Sequence, residues 1–386
     1  VVTGLAALGV LMVYSSSAIR AFLQRDDPFA VVGPQIAWAA LGLVVMMATM
    51  RLDYRRLRPL AVPAYLAALL LLTLVFVPGL QVVVGGSARW LRLGPLPAVH
   101  PAEFAKLGLI LVLARWLGDD PTRAGALRRG FLPFLAITLP VLLLVWREPD
   151  LGTTAVLALT AVTTFFVAGG SLLHLGLLAA AGAMALVTVG LRGYQLERIR
   201  AWLDPWAYAD SAGFHTIQGL LALGLGGLVG AGLGESRMAG GLFLPNASND
   251  FIFAVIGEEF GFLGGALVIV LFAVLVVAGL RIALAAPDRF GALLATGITA
   301  WLGIQAFVNI GVVVALLPVT GITLPFISAG GSSLVISFAA VGILLSISRA
   351  AANGGAWQDA HGDRGRGDRR THLPGPRRRP LVAGGR

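Results

Sequence analysis

Ionisable side chains that interrupt apolar sequence are where this chain could do chemistry, because each is costly there and must be held by something. The most conspicuous is Lys106, the sole lysine among 29 basic residues. It lies in His100-Pro101-Ala102-Glu103-Phe104-Ala105-Lys106, where a proline followed by a glutamate reads as the first turn of a helix. Three-residue spacing puts Glu103 and Lys106 on one helix face. Two uses fit: an acid favoured by the helix dipole beside a snorkelling lysine, or a buried ion pair lining a polar cavity. Just upstream, Gly85-Gly86-Ser87-Ala88-Arg89-Trp90-Leu91-Arg92-Leu93-Gly94 joins two arginines to a tryptophan. The guanidinium forks of Arg89 and Arg92 suit an anionic headgroup. An ordinary aromatic belt with loop charges would use the same residues.

Carboxylates recur at the ends of apolar runs. In Leu244-Pro245-Asn246-Ala247-Ser248-Asn249-Asp250-Phe251-Ile252-Phe253-Ala254, Asp250 sits where polar loop becomes apolar helix. It could cap that helix, or act as a general base on a sugar hydroxyl at the water-membrane boundary. Glu258 and Glu259 follow two turns later, and at least one should face a polar interior. In Arg147-Glu148-Pro149-Asp150-Leu151-Gly152-Thr153-Thr154, Asp150 is placed to cap the next helix. The stretch Leu317-Pro318-Val319-Thr320-Gly321-Ile322-Thr323-Leu324-Pro325-Phe326-Ile327-Ser328-Ala329-Gly330-Gly331-Ser332-Ser333 is irregular backbone between apolar runs. At membrane depth such backbone must be buried or line a cavity. Its hydroxyls, Ser332 included, could meet a headgroup or merely allow close packing.

The elements that would position these groups are membrane helices. With 57% hydrophobic and 12% charged residues over 386, the chain cannot present a mostly polar surface, and lipid must be its solvent. Spans of about 20 apolar residues are needed. About ten can be drawn, near 1–17, 31–50, 61–79, 104–117, 131–146, 151–168, 172–191, 262–280, 292–315 and 334–348. The reading is an all-α, polytopic membrane protein. If the first span runs outward, Arg51, Arg55, Arg56, Arg58, Arg115, Arg123, Arg128, Arg129, Arg281 and Arg289 fall inside, which obeys the positive-inside rule. Segments 80–103, 192–261 and 316–333 then lie outside, the second as a large loop between helices 7 and 8. Residues 1–349 form the membrane domain, and 350–386 read as a disordered, Arg-rich cytoplasmic tail. Val1 opens inside an apolar run with no initiator Met or basic leader, which reads as a trimmed cytoplasmic leader rather than a cleaved signal peptide. The net charge of +10 is explained by loops and tail, so no nucleic-acid partner is expected. The absence of cysteine excludes disulfides, thiolate catalysis and Cys-ligated zinc.

Taken together, these segments resemble the FtsW/RodA (SEDS) family in order along the chain, from about residue 10 to 349. The resemblance is carried by Tyr14-Ser15-Ser16-Ser17, Arg89-Trp90 with Gly94, Pro101-Ala102-Glu103-Phe104-Ala105-Lys106-Leu107 and Glu148-Pro149-Asp150-Leu151-Gly152-Thr153. It continues through Arg198-Ile199 with Leu203-Asp204-Pro205-Trp206, Gln218, Gly232-Leu233-Gly234-Glu235-Ser236, Asp250-Phe251-Ile252-Phe253-Ala254, Asn309-Ile310-Gly311 and 317–321. It implies a ten-span glycosyltransferase that polymerises lipid II on the outer face of the bacterial cytoplasmic membrane. A class B penicillin-binding protein and other divisome or elongasome membrane proteins would be its partners. The family's essential aspartate falls on Asp250, and its conserved acid and lysine on Glu103 and Lys106. Gly-Leu-Gly-x-Ser and Ile-Gly-Glu-Glu favour the division branch over the elongation branch. His100, Asn246, Ser248 and Ala329 replace a common Gln, Glu, His and Tyr. The expected site is Asp250 as base, with Glu103, Lys106, Arg89, Arg92, Asp150 and Ser332 on the substrate. No dedicated metal ligands are visible, although Mg or Mn could share the pyrophosphate. A lipid II flippase is the main rival, since a polar cavity would serve it equally. A scaffold that only recruits the crosslinking partner leaves Glu103 and Lys106 unexplained.

Overall fold

The computed structural model describes residues 1–84, 87–92, 94, 97–189 and 193–366. Helices α1 (Val2–Arg25), α2 (Val32–Arg51) and α3 (Leu57–Leu74) lead to a short hairpin, β1 (Gln81–Val84) and β2 (Ser87–Leu91). Then come α4 (Pro101–Gly118), α5 (Leu132–Arg147), α6 (Leu151–Val167) and α7 (Leu172–Val189). The large segment holds α8 (Gly193–Leu203), α9 (Phe214–Gly226) and α10 (Arg237–Gly240), followed by α11 (Ile252–Ala285), α12 (Arg289–Val313) and α13 (Gly331–Arg366).

Each expected span overlaps a helix, and among the described residues seven helices are long and apolar enough to cross a membrane. Large apolar side chains such as Phe262, Leu263 and Leu284 stand exposed on them, as lipid-facing residues should. The protein is a multi-pass membrane protein. At its centre stand α12 and α4, whose residues are mostly buried. α12 packs on α4, α6 and α11, α3 lies along α4, and α13 lies along α2. The tail was expected to be disordered from residue 350, but α13 runs on through its first part to Arg366; residues 367–386 lie outside the described residues.

Two features were not expected. The segment before the fourth span forms the antiparallel hairpin, with Val82 opposite Trp90, and an isolated bridge joins Leu91 to Val99. The large loop is itself largely helical, and its end runs straight into the next span. α11 begins at Ile252, ten residues before the expected span, and is broken at Gly261, where φ is 65° and ψ −164°. A β-carbon at Gly261 would meet Gly230 N at 2.5 Å, so only glycine fits. The loop pressed against the break satisfies the freed backbone: Phe262 N donates to Gly227 O (2.8 Å), and Ala231 N to Glu258 O (2.9 Å). Buried backbone polar groups need such partners.

Glu258 and Glu259, both 1% exposed, hold the same loop. Glu258 accepts from Ser236 Oγ (2.5 Å) and Arg237 N (2.7 Å). Glu259 accepts from Ser15 Oγ of α1. The loop and α1 together make their polar interior.

Candidate active site

At one end of the bundle the hairpin, the starts of α4, α6 and α13, the turn before α11 and the 314–330 segment enclose a cleft of about 150 Å³. Arg89, Trp90, His100, Glu103, Asp150, Thr153, Asn249, Asp250 and Ser332 are among its lining residues. Pockets that swallow a whole drug-sized ligand measure roughly 300–1,000 Å³. This one fits the reacting end of a longer molecule.

Asp250 does not cap its helix: the cap position of α11 is Phe251, and no side chain caps it. The carboxylate is left facing the cleft. Its backbone is pinned, because Asn309 on α12 donates to both Asp250 O (2.9 Å) and Ile322 O (2.7 Å). Gly321 sits at φ 78°, and a β-carbon there would stand 3.5 Å from Asp250 Oδ2. Burial raises the Asp250 carboxyl from its ordinary 3.8 to about 6, helped by the charge of Asp150 and opposed by Arg89 and Arg198. A carboxyl with that value is mostly ionised at neutral pH and still basic enough to take a proton.

Asp150 caps α6 as expected, accepting from Thr153 N (3.0 Å) and Thr153 Oγ1 (2.9 Å), and lines the cleft as well. His100 Nε2 stands 3.6 Å from its Oδ2. Burial lowers the His100 pKa, with Asp150 and Glu103 pulling the other way, so the ring is neutral at pH 7. Its backbone N donates to Ser332 Oγ (3.2 Å), which ties the start of α4 to the start of α13. Glu148 is 1% exposed, and neither of its carboxyl oxygens has a hydrogen-bond partner among the described residues. Burial, with the charge of Asp150 and against that of Arg89, pushes it up to about 9, so it is held neutral. Arg89 donates to the carbonyls of Glu148 and Pro149, which fixes one side of its guanidinium beside the cleft.

Lys106 lies behind the cleft wall rather than in it. It is 3% exposed, pairs with Glu103 Oε2 at 2.8 Å, donates to Gln305 Oε1 at 2.7 Å and stands 5.0 Å from the Trp301 ring centroid. The buried pair of the two sequence alternatives is therefore the observed one. Glu103 lines the cleft and Lys106 balances it from inside. Arg92, expected on the substrate, is not brought to the cleft: its side chain is exposed and it is not among the lining residues. Its backbone N donates to Leu80 O (2.9 Å), just past the end of β2. Among the described residues no three His, Asp or Glu side chains converge to hold a metal.

A family profile for FtsW, RodA and SpoVE, described as cell cycle protein, matches residues 1–353. The chain belongs to the FtsW/RodA/SpoVE family. Within it, the chain is 42% identical over 348 residues to stage V sporulation protein E of Bacillus subtilis, covering 89% of this chain and 94% of that protein. It is 41% identical over 345 residues to the probable peptidoglycan glycosyltransferase FtsW of Geobacter metallireducens, covering 89% and 92%. Among solved structures, it resembles a chain of a peptidoglycan synthase complex studied for the coordination of polymerization and crosslinking, with TM-score 0.73, 31% identity and coverage of 91% and 97%. The rod shape determining protein RodA of Thermus thermophilus follows at TM-score 0.66 and 33% identity, with coverage of 90% and 94%.

Several supporting residues of the cleft were given no role of their own in the reading of the sequence, and Gln305 and Gln35 were not singled out at all. Gln305 and Asn309 sit four apart on α12 inside an apolar run, a spacing that places two amides on one helix face and could have flagged them. Gln305 joins Lys106 and Trp301 Nε1 (2.7 Å) to Thr323 O (3.0 Å). Ser328 donates to Asn249 O (2.7 Å), and Gln35 holds Ser328 O and Gly330 N (both 3.2 Å). These bonds fasten irregular backbone, and no local pattern announces them.

Proposed function

We propose that this protein is a peptidoglycan glycosyltransferase that polymerises lipid II into glycan strands for the septal wall. Asp250 takes the proton of an acceptor GlcNAc 4-hydroxyl. The oxygen attacks the anomeric carbon of a MurNAc, the bond from that carbon to undecaprenyl pyrophosphate breaks, and the centre inverts in a single displacement. The observation that carries this reading is a desolvated carboxylate with no capping duty, poised near pH 6 beside a guanidinium in a cleft at the end of the bundle. It agrees with the family position of the essential aspartate.

Arg89 faces the leaving pyrophosphate, with Arg198 near enough to act on the charge of Asp250. Preorganised donors aimed at developing charge are usually the largest single source of acceleration. Lys106 acts at one remove, by holding the Glu103 carboxylate in place through their ion pair; Asp150 and Ser332 shape the wall. The site faces outward from the cytoplasmic membrane, by the arginine distribution. A class B penicillin-binding protein is the expected partner, in line with the similarity to a chain of a complex that couples polymerization to crosslinking. The FtsW name of relatives above 40% identity supports the division role.

The test incubates purified wild type and Asp250→Asn, each with the cognate penicillin-binding protein, with labelled lipid II and looks for polymer on a gel. Polymer from wild type alone is expected. Polymer from the Asn variant at wild-type rate sinks the base, and no polymer from either, with the partner active and bound, sinks the enzyme.

A further inference from the structure

The reaction just proposed involves two pyrophosphates at once. One leaves the donor, and the other stays on the acceptor, a disaccharide away from the attacking hydroxyl. Arg89 can serve the first. A seat for the second has to be cationic, separate from the main cleft and close to Asp250.

A second cavity meets those conditions. About 80 Å³ in volume, it lies between the end of α1, Val31 and the turn that precedes Asp250. Ser16, Ser17, Arg20, Gln24 and Arg25 face it from α1, with Ser248 opposite. With Ala21, which also lines it, these α1 positions recur at i, i+1, i+4, i+5, i+8 and i+9, which is one helical face. At roughly 30 Å³ per water, the space suits a phosphate group rather than a sugar. Arg20 is half-buried, and neither it nor Arg25 has a hydrogen-bond or ion-pair partner among the described residues. A partly desolvated guanidinium without an anion is a cost that a bound phosphate would remove. The neighbouring Asp27 accepts from Phe29 N (2.8 Å) and is not among the residues that line the cavity.

The turn 247–250 is the partition between the two cavities. Ala247 and Ser248 line this one, and Asn249 and Asp250 line the cleft. From Ser248 to Asp250 the chain spans at most about 7 Å. The turn is held from behind by Ala329 N donating to Ser248 O (2.9 Å) and Ser328 Oγ to Asn249 O, so the two sides keep a fixed relation.

We propose that Arg20, Arg25 and Gln24 form the subsite for the pyrophosphate that the acceptor lipid retains during transfer. The proposal rests on the glycosyltransferase reading. No bond of this pyrophosphate breaks; the subsite only sets where the acceptor hydroxyl lies.

The test uses full-length protein in nanodiscs of neutral phosphatidylcholine or with added phosphatidylglycerol. Initial rates against lipid II concentration are measured for wild type, Arg25→Gln and Arg20→Gln/Arg25→Gln with the penicillin-binding partner. Binding of labelled lipid II is measured in an Asp250→Asn background, where no turnover is needed. The double variant should raise KM about tenfold, with kcat within about twofold, and weaken binding similarly in both disc types. Arg20→Lys/Arg25→Lys should recover most of the loss, and the exposed Arg25→Gln should show part of the effect with an unchanged melting temperature. Unchanged KM and binding overturn the subsite, as does a loss confined to discs with phosphatidylglycerol, which would make these arginines bilayer anchors. If wild type itself makes no polymer, the underlying function fails instead.

Discussion

The raised pKa of Asp250 predicts a particular pH profile. A base with a value of about 6 is only about 9% ionised at pH 5, whereas a carboxylate at the ordinary 3.8 would be about 94% ionised. The kcat/KM for lipid II should therefore fall along an acid limb centred near pH 6, about tenfold per unit below it. Burial is the largest cause and the charge of Asp150 the second, so Asp150→Asn should move the limb down by on the order of half a unit to one unit. Asparagine also caps helices well, so α6 should keep its start, although the acceptor for Thr153 Oγ1 is lost. The assay is initial polymerisation rate at sub-saturating lipid II between pH 4.5 and 8, with the fold checked by melting temperature at each pH. A wild-type limb near pH 4 would refute the desolvated base. An unmoved limb in a folded Asp150→Asn protein would show that the two carboxylates do not share a field.

Three further outcomes follow from the packing. Lys106→Met leaves Glu103 buried without its cation, which should cost about 3–5 kcal/mol, while Glu103→Gln/Lys106→Met should cost clearly less; detergent thermal melts compare them. Gly261→Ala forces a side chain into a left-handed position and against Gly230 N at 2.5 Å; it should destabilise by at least about 1–2 kcal/mol, with faster proteolysis of the 227–238 loop as the readout. Arg89→Gln should lower kcat by about tenfold or more, whereas the exposed Arg92→Gln should stay within about twofold of wild type, as measured by polymer formation at saturating lipid II.

The sequence by itself determined the solvent, the helices and the family. Composition and 20-residue apolar runs suffice for membrane spans, because in lipid the backbone must satisfy itself locally and hydropathy is a local property. The Glu103-Lys106 pair was legible for the same reason, since both partners sit on one helical turn. What only the tertiary structure decided was which charges face one another. Asp250 had two equally good local readings, and capping was ruled out only when α11 proved to start at Ile252 with Phe251 at its cap. Arg89 and Arg92 look equivalent in sequence, yet the carbonyls of Glu148 and Pro149, some 60 residues on, hold Arg89 at the cleft, while Arg92 stays exposed past the end of β2. Lys106 reads as a substrate ligand until Gln305 and Trp301, 199 and 195 residues further on, close around it. Electrostatics in a low-dielectric interior depend on distances of a few ångströms between segments far apart in the chain, and no local pattern carries those distances.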